Sequence, residues 1–397
     1  MGTRFSHAIP GRFVLKGLLA GISLMLLAAC GGGQPDLEPT QSVAQSPIPQ
    51  VPDHATATIA WSAASGGNKL GSIQFEPVVN GNTVYTVTRS GHINGFDLDK
   101  GNNVFSRHLG EDIANGVGVN GSSIIAVTDD AGVVALDRQD ASELWRYEVG
   151  HSISSAPALN DQVVVVRTVD GQVIGLNAAT GRQIWQFEKP VASLSVGLDA
   201  PGLVVGEGVI SGFSSGRVLA SNIFNGTTFW EKRAFRPSGR NDIERLIDID
   251  ASPVLAGQNI LVGSYQGGVV AYQMLDGQET WRNEGAKTRK PISISRNKLA
   301  VTGPESEVML LDLGSGDTLW KKNQLRGNGL SAPVVADNSV VVGTMEGDLY
   351  FLDINDGSIM SRFGVSSGPV TSLQSVGQGL LVYFAGSGRL ALVTGDF

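Results

Sequence analysis

Apolar and polar residues alternate with period two along most of the chain, in short runs that end at glycine-containing turns. One clear run spans Gly171–Asn177 and leads through Thr180 and Gly181 to Trp185. Alternation with period two predicts β-strands, and a glycine before the next run predicts a hairpin turn because glycine adopts positive φ without steric cost. The pattern therefore predicts an all-β chain built from hairpins.

The same unit recurs about every 40 residues, and each copy ends in a strand that carries an aromatic residue. The aromatic positions are Phe105, Trp145, Trp185, Trp230, Trp281 and Trp320, with Ser361 as the exception in the seventh copy. Four strands in a unit of this length are typical of a propeller blade. Because the tryptophans recur regularly at strand starts, we expect them to stabilise the blades by burial rather than to bind a ligand.

An eighth copy starts at Gly388 and reaches Phe397 before its own aromatic residue. The strand that contains Ile59 and Trp61 belongs to no other unit, so we expect it to complete the eighth sheet. The predicted fold is an eight-bladed β-propeller of four-stranded antiparallel blades over residues 58–397, closed by an N-terminal strand in the last blade. Closure of this kind removes an open sheet edge.

The first 29 residues have the pattern of a secretory signal, with Arg4, Arg12 and Lys16 ahead of an apolar stretch that ends at Ala29. That stretch is shorter than the roughly 20 residues of a membrane-spanning helix. The sequence Leu-Ala-Ala-Cys ending at Cys30 resembles a bacterial lipobox, which predicts lipidation of Cys30; ordinary signal cleavage with a free thiol is the alternative. Residues 30–57 are rich in Pro, Gln and Ser, and we expect them to form a flexible tether.

Composition excludes several classes of protein. The formal net charge is −8, whereas a protein that neutralises nucleic-acid phosphates needs a basic face. A single cysteine excludes a disulfide or a four-cysteine zinc site within one chain. The 52 glycines fit a chain with many tight turns.

The sequence predicts no catalytic, cofactor or metal site. His92, His108 and His151 fall in different repeat units and form no metal-binding motif. Gly116–Gly121 fits G-x-G-x-x-G, but it lies in a β-meander without the following helix that binds a pyrophosphate. Asp248 and Asp250 lack the further ligands of a calcium loop.

Together, the lipobox, the tether and the eight predicted blades, six of them marked by a tryptophan, resemble the BamB family, whose members are lipoprotein subunits of the β-barrel assembly machinery. The resemblance implies a non-catalytic scaffold without cofactors, anchored by lipid to the periplasmic side of the outer membrane of a Gram-negative bacterium. It also implies docking on the periplasmic POTRA domains of BamA and assistance to unfolded outer-membrane protein clients.

Two irregular insertions carry the expected partner-binding residues. Residues 242–253, with Arg245, Asp248 and Asp250, resemble the family's loop that meets the POTRA domains. A neighbouring contact loop is matched by the residues Leu194, Ser195, Val196 and Gly197, although a basic residue is common in the family where Gly197 stands. Loops on rigid scaffolds often carry recognition. The alternatives are a solvated acidic loop or a local cap at Asp248 and Asp250, and burial of Leu194 or Val196 within the blade.

Two other classes of protein share features with this pattern. Periplasmic quinone-dependent dehydrogenases are eight-bladed and use the same blade motif, but they need a calcium site, a catalytic Asp and long insertions for the cofactor. The absorption spectrum and dye-linked alcohol or glucose oxidation with added quinone and calcium distinguish that class. A propeller that binds envelope glycans or senses envelope stress is the third possibility.

Overall fold

The computed structural model describes residues 45–47, 49–67, 75–191, 200–236, 247, 249, 251–288, 290, 292–336, 338–377 and 379–397. All regular secondary structure in these ranges is β-strand, and 32 strands form eight four-stranded antiparallel sheets. Each sheet is one blade of a propeller. Across the same ranges, no helical segment has the length and hydropathy that crossing a membrane would require.

The first four blades follow one another along the chain. Blade 1 contains β2 (Val78–Asn80), β3 (Thr83–Val87), β4 (His92–Asp97) and β5 (Asn103–His108). Blade 2 contains β6 (Ile113–Val119), β7 (Ser123–Thr128), β8 (Gly132–Asp137) and β9 (Glu143–Glu148). Blade 3 contains β10 (Ala158–Leu159), β11 (Val163–Arg167), β12 (Gln172–Asn177) and β13 (Gln183–Glu188). Blade 4 contains β14 (Leu203–Val205), β15 (Gly208–Gly212), β16 (Arg217–Asn222) and β17 (Thr228–Arg233).

The remaining blades continue this order, and the last one also takes the first strand of the chain. Blade 5 contains β18 (Val254–Ala256), β19 (Asn259–Ser264), β20 (Gly268–Gln273) and β21 (Glu279–Asn283). Blade 6 contains β22 (Ser293–Ser295), β23 (Lys298–Thr302), β24 (Val308–Asp312) and β25 (Thr318–Lys322). Blade 7 contains β26 (Val334–Val335), β27 (Ser339–Gly343), β28 (Asp348–Asp353) and β29 (Ile359–Gly364). Blade 8 contains β30 (Ser372–Val376), β31 (Gly379–Phe384), β32 (Arg389–Thr394) and β1 (Thr58–Ala64).

The N-terminal strand closes the ring as the sequence predicts. β1 pairs antiparallel with β32, and Trp61 lies opposite Leu392. This pairing confirms both the count of eight blades and the composition of the last blade from the two ends of the propeller sequence.

The tryptophans join neighbouring blades, which confirms their structural role. Each indole is at most 9% exposed and lies on the outer strand of its blade. The Nε1–H group of Trp145 donates to the backbone oxygen of Ala178 in the next blade at 2.8 Å. The same bond is made by the other five, from Trp61 to Leu98, Trp185 to Ile223, Trp230 to Met274, Trp281 to Leu313 and Trp320 to Ile354. Each seam thus combines apolar burial with a hydrogen bond that satisfies the one polar atom of the indole.

Residues 45–57 differ from a free tether along their described length. They form backbone hydrogen bonds with Arg326, which follows blade 6, and with Arg362 of blade 7, and Thr56 accepts a hydrogen bond from the Asp396 N–H after the last strand of blade 8. Ala57 is buried in the apolar cluster between blades 7 and 8. The physical reason is that an outer strand such as β29 presents unpaired N–H and C=O groups to which an extended segment can bond. Cys30 and the predicted signal segment lie outside the described residues.

Candidate functional site

The two insertions singled out in the sequence are consecutive connections on either side of blade 4. One joins β13 to β14 and the other joins β17 to β18. In an antiparallel meander, the connection to the next blade leaves from the same edge as the turn between the second and third strands. Both insertions are therefore mounted on the edge that carries the Phe213–Gly216 turn of blade 4, which we call the connection face.

All seven residues predicted to bind a partner lie outside the described residues. They are Leu194, Ser195, Val196, Gly197, Arg245, Asp248 and Asp250. The structure describes the residues on which these segments are mounted, including Ile247, Ile249 and Ala251.

The first insertion begins at an ionic link between blades 3 and 4. The Lys189 ammonium lies 2.7 Å from Oε2 of Glu231, and Arg217 binds the other carboxylate oxygen at 3.0 Å. Lys189 also lies over the ring of Phe187, 5.9 Å from its centroid. The hydrogen bond from Lys189 is the main cause that lowers the pKa of Glu231, although partial burial opposes it.

A buried arginine fixes the far end of the same insertion. Arg167 ends β11 in blade 3 and is 3% exposed. Its guanidinium donates to the backbone oxygens of Ala200 and Gly212 and lies 5.4 Å from the ring centroid of Phe213. One side chain of blade 3 thus holds both the returning chain and the turn of blade 4.

The second insertion begins with an equally buried anchor. Ala234 and Phe235 follow β17, and both are buried. Arg282 of blade 5 donates to the backbone oxygen of Ala234 at 2.8 Å and lies 5.7 Å from the centroid of the Phe235 ring. A hydrogen bond to Glu279 is the main cause that raises the pKa of Arg282, so the guanidinium stays charged.

The second insertion ends in a segment that leads to β18 and has buried side chains at every second position, Ile247, Ile249 and Ala251. Ile247 and Ile249 join the apolar cluster between blades 4 and 5, and Ala251 is fully buried. Gly216 has a φ of 70°, and a β-carbon there would stand 2.6 Å from Cδ1 of Ile247. A β-carbon at Gly212 would collide with Ile249 in the same way. The turn of blade 4 therefore packs directly against the returning segment and needs glycine at both positions.

The histidines do not converge on this face. His92 and His108 lie in register on neighbouring strands of blade 1, with ring centroids 4.3 Å apart. The expectation that His92 and His108 fall in different units is wrong. The sequence unit is counted from the glycine turn before the third strand, whereas the blade is counted from its innermost strand, so the two divisions have different boundaries. His151 instead pairs with Asp170 at 3.2 Å. Among the described residues, no group of three or more His, Cys, Asp or Glu side chains is placed to hold a metal ion.

The motif Gly116–Gly121 has a structural role, because it forms part of a strand and the turn that follows it. Residues 113–119 form β6, and β7 begins at Ser123 after a tight turn. This strand–turn–strand geometry confirms the predicted meander.

The residues that anchor the two insertions are not evident from the sequence. Arg167, Glu231, Phe235 and Arg282 have no motif around them. A weak signal exists for Arg167, because it directly follows four consecutive valines in a buried strand. The arrangement provides two neighbouring insertions whose described ends are held by side chains of blades 3, 4 and 5.

Comparison with known proteins identifies a matching family along most of the propeller. A family model described as "Outer membrane protein assembly factor BamB" matches residues 89–322 and 276–395. A BamB of Alkalilimnicola ehrlichii is 41% identical over 379 residues, which covers 95% of this chain and 96% of that protein. A BamB of Pseudomonas aeruginosa is 38% identical over 379 residues, covering 95% and 97%. The BamB of Escherichia coli K12 is 30% identical over 398 residues, covering 96% and 99%.

Solved structures show the same fold. The crystal structure of BamB from Moraxella catarrhalis matches with a TM-score of 0.75 at 23% identity, over 85% of this chain and 99% of that one. Quinohemoprotein alcohol dehydrogenase from Comamonas testosteroni matches with a TM-score of 0.66 at 13% identity, over 87% and 78%. At these identities, both structures support the propeller architecture alone.

Proposed function

The chain belongs to the BamB family of outer membrane protein assembly factors, and we propose that it is a non-catalytic scaffold of the β-barrel assembly machinery. In this proposal it binds the periplasmic POTRA domains of BamA and assists the folding and insertion of outer-membrane proteins. The observation that carries the proposal is the match to curated BamB proteins over about 95% of the chain.

The proposed contact surface is the pair of insertions on the connection face. In the first insertion, Leu194 and Val196 would supply apolar contacts, and Ser195 and Gly197 would complete the contact loop. In the second insertion, Arg245, Asp248 and Asp250 would supply charged contacts. Supporting this assignment, the described ends of both insertions are fixed by Arg167, Phe235 and Ile249. Segments with fixed ends lose less conformational entropy on binding than free loops do.

The proposed location is the periplasmic side of the outer membrane. Lipidation of Cys30, the only cysteine in the chain, would provide the anchor. Acyl chains bind membranes in proportion to the number of buried CH₂ groups, and stable anchoring takes two or more hydrophobic signals.

A dehydrogenase function has weaker support. The likeness to the Comamonas enzyme is one of fold at 13% identity, and folds of this kind host unrelated activities. The relatives that match nearly the whole chain are assembly factors instead.

Photocrosslinking in cells tests the proposal because it identifies the partner without presuming it. A photoreactive amino acid is placed at position 194, 196, 248 or 250, and crosslinked partners are identified by mass spectrometry. Glu346 serves as the matched control position, since it is exposed on the turn between the second and third strands of blade 7, on the same face but away from the insertions. We expect BamA crosslinks from the four positions and none from position 346. Crosslinks only to other proteins, or equal BamA crosslinks from all five positions, would contradict the proposed surface.

A further inference from the structure

The repeat is broken at the seam between blades 7 and 8. Ser361 stands where the outer strands of other blades carry an aromatic residue. In blade 8, Gly395, Asp396 and Phe397 follow β32 where the other blades form the turn that receives the neighbouring indole. Both components of the usual contact, the indole and the turn glycine, are therefore replaced at this seam.

Residues 52–54 add to the edge of blade 7. The backbone N–H of Arg362 donates to the oxygen of Pro52 at 3.0 Å, and the N–H of His54 donates to the oxygen of Arg362 at 2.7 Å. These two bonds make a parallel bridge between Asp53 and Arg362. The Asp53 carboxylate also lies 3.4 Å from Nε of Arg362. The contact is a single bridge with the hydrogen bonding of strand addition, the mode by which extended peptides bind sheet edges.

The imidazole of His54 enters the seam. Its ring centroid lies 4.2 Å from that of Phe351 and 6.0 Å from that of Phe397. The two phenyl rings stack on each other at 5.7 Å. The Nδ1 atom of His54 is buried without a hydrogen-bond partner in the described part of the chain, so it is held by the aromatic contacts rather than by a polar one.

The following residues fill the position that a turn and an indole fill elsewhere. A β-carbon at Gly395 would stand 3.0 Å from Cα of Ala57. The N–H of Asp396 donates to Oγ1 of Thr56 at 3.1 Å. Ala57 itself belongs to the buried cluster of blades 7 and 8. Residues 54–57 and Phe397 together thus close this seam in place of the missing tryptophan.

The segment is also held at its other end. The N–H of Ser46 donates to the oxygen of Arg326 at 2.8 Å, and the Gln45 amide donates to Oδ1 of Asn328 at 2.7 Å. Val51 packs on the apolar cluster between blades 6 and 7. The contacts therefore lie at both ends of this segment and involve two seams.

We infer that the seam between blades 7 and 8 is a peptide-binding site and that residues 45–57 are its resident ligand. The ligand class is an extended peptide with a Pro-Asp-His centre. Its backbone groups pair with Arg362, its carboxylate lies beside the guanidinium of that residue, and its imidazole packs against the rings of Phe351 and Phe397. If Cys30 is lipidated, as the proposed function holds, only residues 31–44 separate the anchor from the docked segment. They span at most about 50 Å. The propeller is then held from the side of blades 6 and 7.

Hydrogen–deuterium exchange on the full chain tests the backbone pairing. Arg146 is the internal control, because it follows Trp145 of blade 2 as Arg362 follows Ser361. Among the described residues, no strand pairs with the outer side of Arg146. We expect the Arg362 amide to exchange at least about 10-fold more slowly than that of Arg146 after correction for intrinsic rates. In a full-length P52G/D53G/H54G variant the two rates should become equal, while His151→Gly should leave both unchanged. Equal rates in the native chain, or unchanged protection in the triple variant, would overturn the inference.

Binding in trans tests whether the seam is a site. A segment tethered to its own site experiences an effective concentration of roughly millimolar. A labelled peptide of residues 45–57 should therefore bind the triple variant with a Kd of about 1 mM or tighter, while the native chain, whose site is filled, should show no saturable binding. The same peptide with alanine at position 54 should bind at least about 10-fold more weakly. Absence of saturable binding to a folded triple variant would overturn the inference, as would a native dimer that exchanges the segment between copies.

A substitution at Ser361 tests whether His54 fills the seam, separately from any change in the stability of the whole propeller. Ser361→Trp supplies an indole to the space that His54 occupies, so we expect it to abolish protection of the Arg362 amide without lowering the thermal midpoint. Retained protection together with an unchanged midpoint would show that the imidazole does not occupy the tryptophan position.

Discussion

Phe105 of blade 1 and Ala141 of blade 2 occupy the two positions at which six other seams hold a tryptophan and a glycine. Ala141 has a φ of 56° and is fully buried, and Phe105 packs against the cluster that contains it. In the tryptophan seams, a β-carbon on the turn glycine would lie within 2.8 Å of the indole. The phenyl ring of Phe105, which is smaller than an indole, thus packs near the turn in which Ala141 replaces the glycine.

The first prediction is that these two positions are energetically coupled. Phe105→Trp should lower the free energy of unfolding by about 1–3 kcal/mol, because the larger ring meets the Ala141 methyl group. In the Ala141→Gly background the same change should be neutral or stabilising. A double-mutant cycle on denaturant midpoints measures the coupling. Additive effects of the two substitutions would contradict it.

The second prediction concerns the glycine turns. Gly181 has a φ of 69°, and a β-carbon there would lie 2.5 Å from the Trp145 ring. Gly181→Ala should cost about 2–4 kcal/mol of stability, from backbone strain and overpacking together. Gly257 has a φ of 61° with open space around it, so Gly257→Ala should cost only about 1–2 kcal/mol of strain. Equal losses of thermal stability in the two variants would show that the indole contact does not matter.

The third prediction is a pH dependence at Glu231. The pKa of this carboxyl is lowered from its usual 4.5, mainly by the hydrogen bond from Lys189. Its stabilising effect is therefore complete above the unfolded pKa and is lost as the pH falls through the lower folded value. Glu231→Gln should lower the free energy of unfolding by about 1 kcal/mol at pH 7. It should have no effect at a pH low enough to protonate Glu231 in both the folded and the unfolded chain. Denaturant unfolding across this range measures the difference, with the exposed Glu207→Gln as the control.

The fourth prediction is a pH dependence at His54. Burial lowers the pKa of this imidazole from 6.5, and the charge of Asp396 partly opposes the shift. The unfolded chain then binds a proton at a higher pH than the folded chain, so stability is lost as the pH falls through 6.5. The other charged groups near the segment are Asp53 and Arg362, with Asp348 beside that arginine.

His54→Phe should remove this part of the pH dependence while keeping a ring in the seam. Thermal midpoints at pH 7.5 and 5.5 provide the measurement, and His151→Gln, at a half-exposed histidine, is the control. The prediction fails if His54→Phe loses as much stability between the two pH values as the native chain.

The fifth prediction concerns partner binding. Asp248→Arg or Asp250→Arg should leave the thermal midpoint unchanged and reduce the recovery of BamA in co-purification, because reversing a charge at an interface opposes complementary charges on the partner. Glu346→Arg is the matched charge reversal on blade 7. Undiminished recovery with both aspartate variants would remove the basis for placing the site on the second insertion.

The repeat pattern predicted the fold in detail because period-two alternation and turn glycines act locally. The place of Trp61 also follows from the pattern, because its strand belongs to no repeat unit and the eighth unit lacks one strand. The structure pairs the two. The anchors of the candidate site were not predictable in this way. Arg167 contacts Ala200 and Gly212 across a seam between blades, and no spacing in the sequence links those residues.

The sequence by itself determined the eight blades, their order and the tryptophan seams, because each follows from contacts that every repeat makes in the same way. Only the tertiary structure decided which buried groups hold the two insertions and what fills the seam where Ser361 breaks the pattern. Those contacts join residues such as His54 and Phe351 that lie about 300 positions apart. They exist because closing a ring of twisted sheets brings the two ends of the chain together, and a periodic sequence carries no signal for a contact that occurs once.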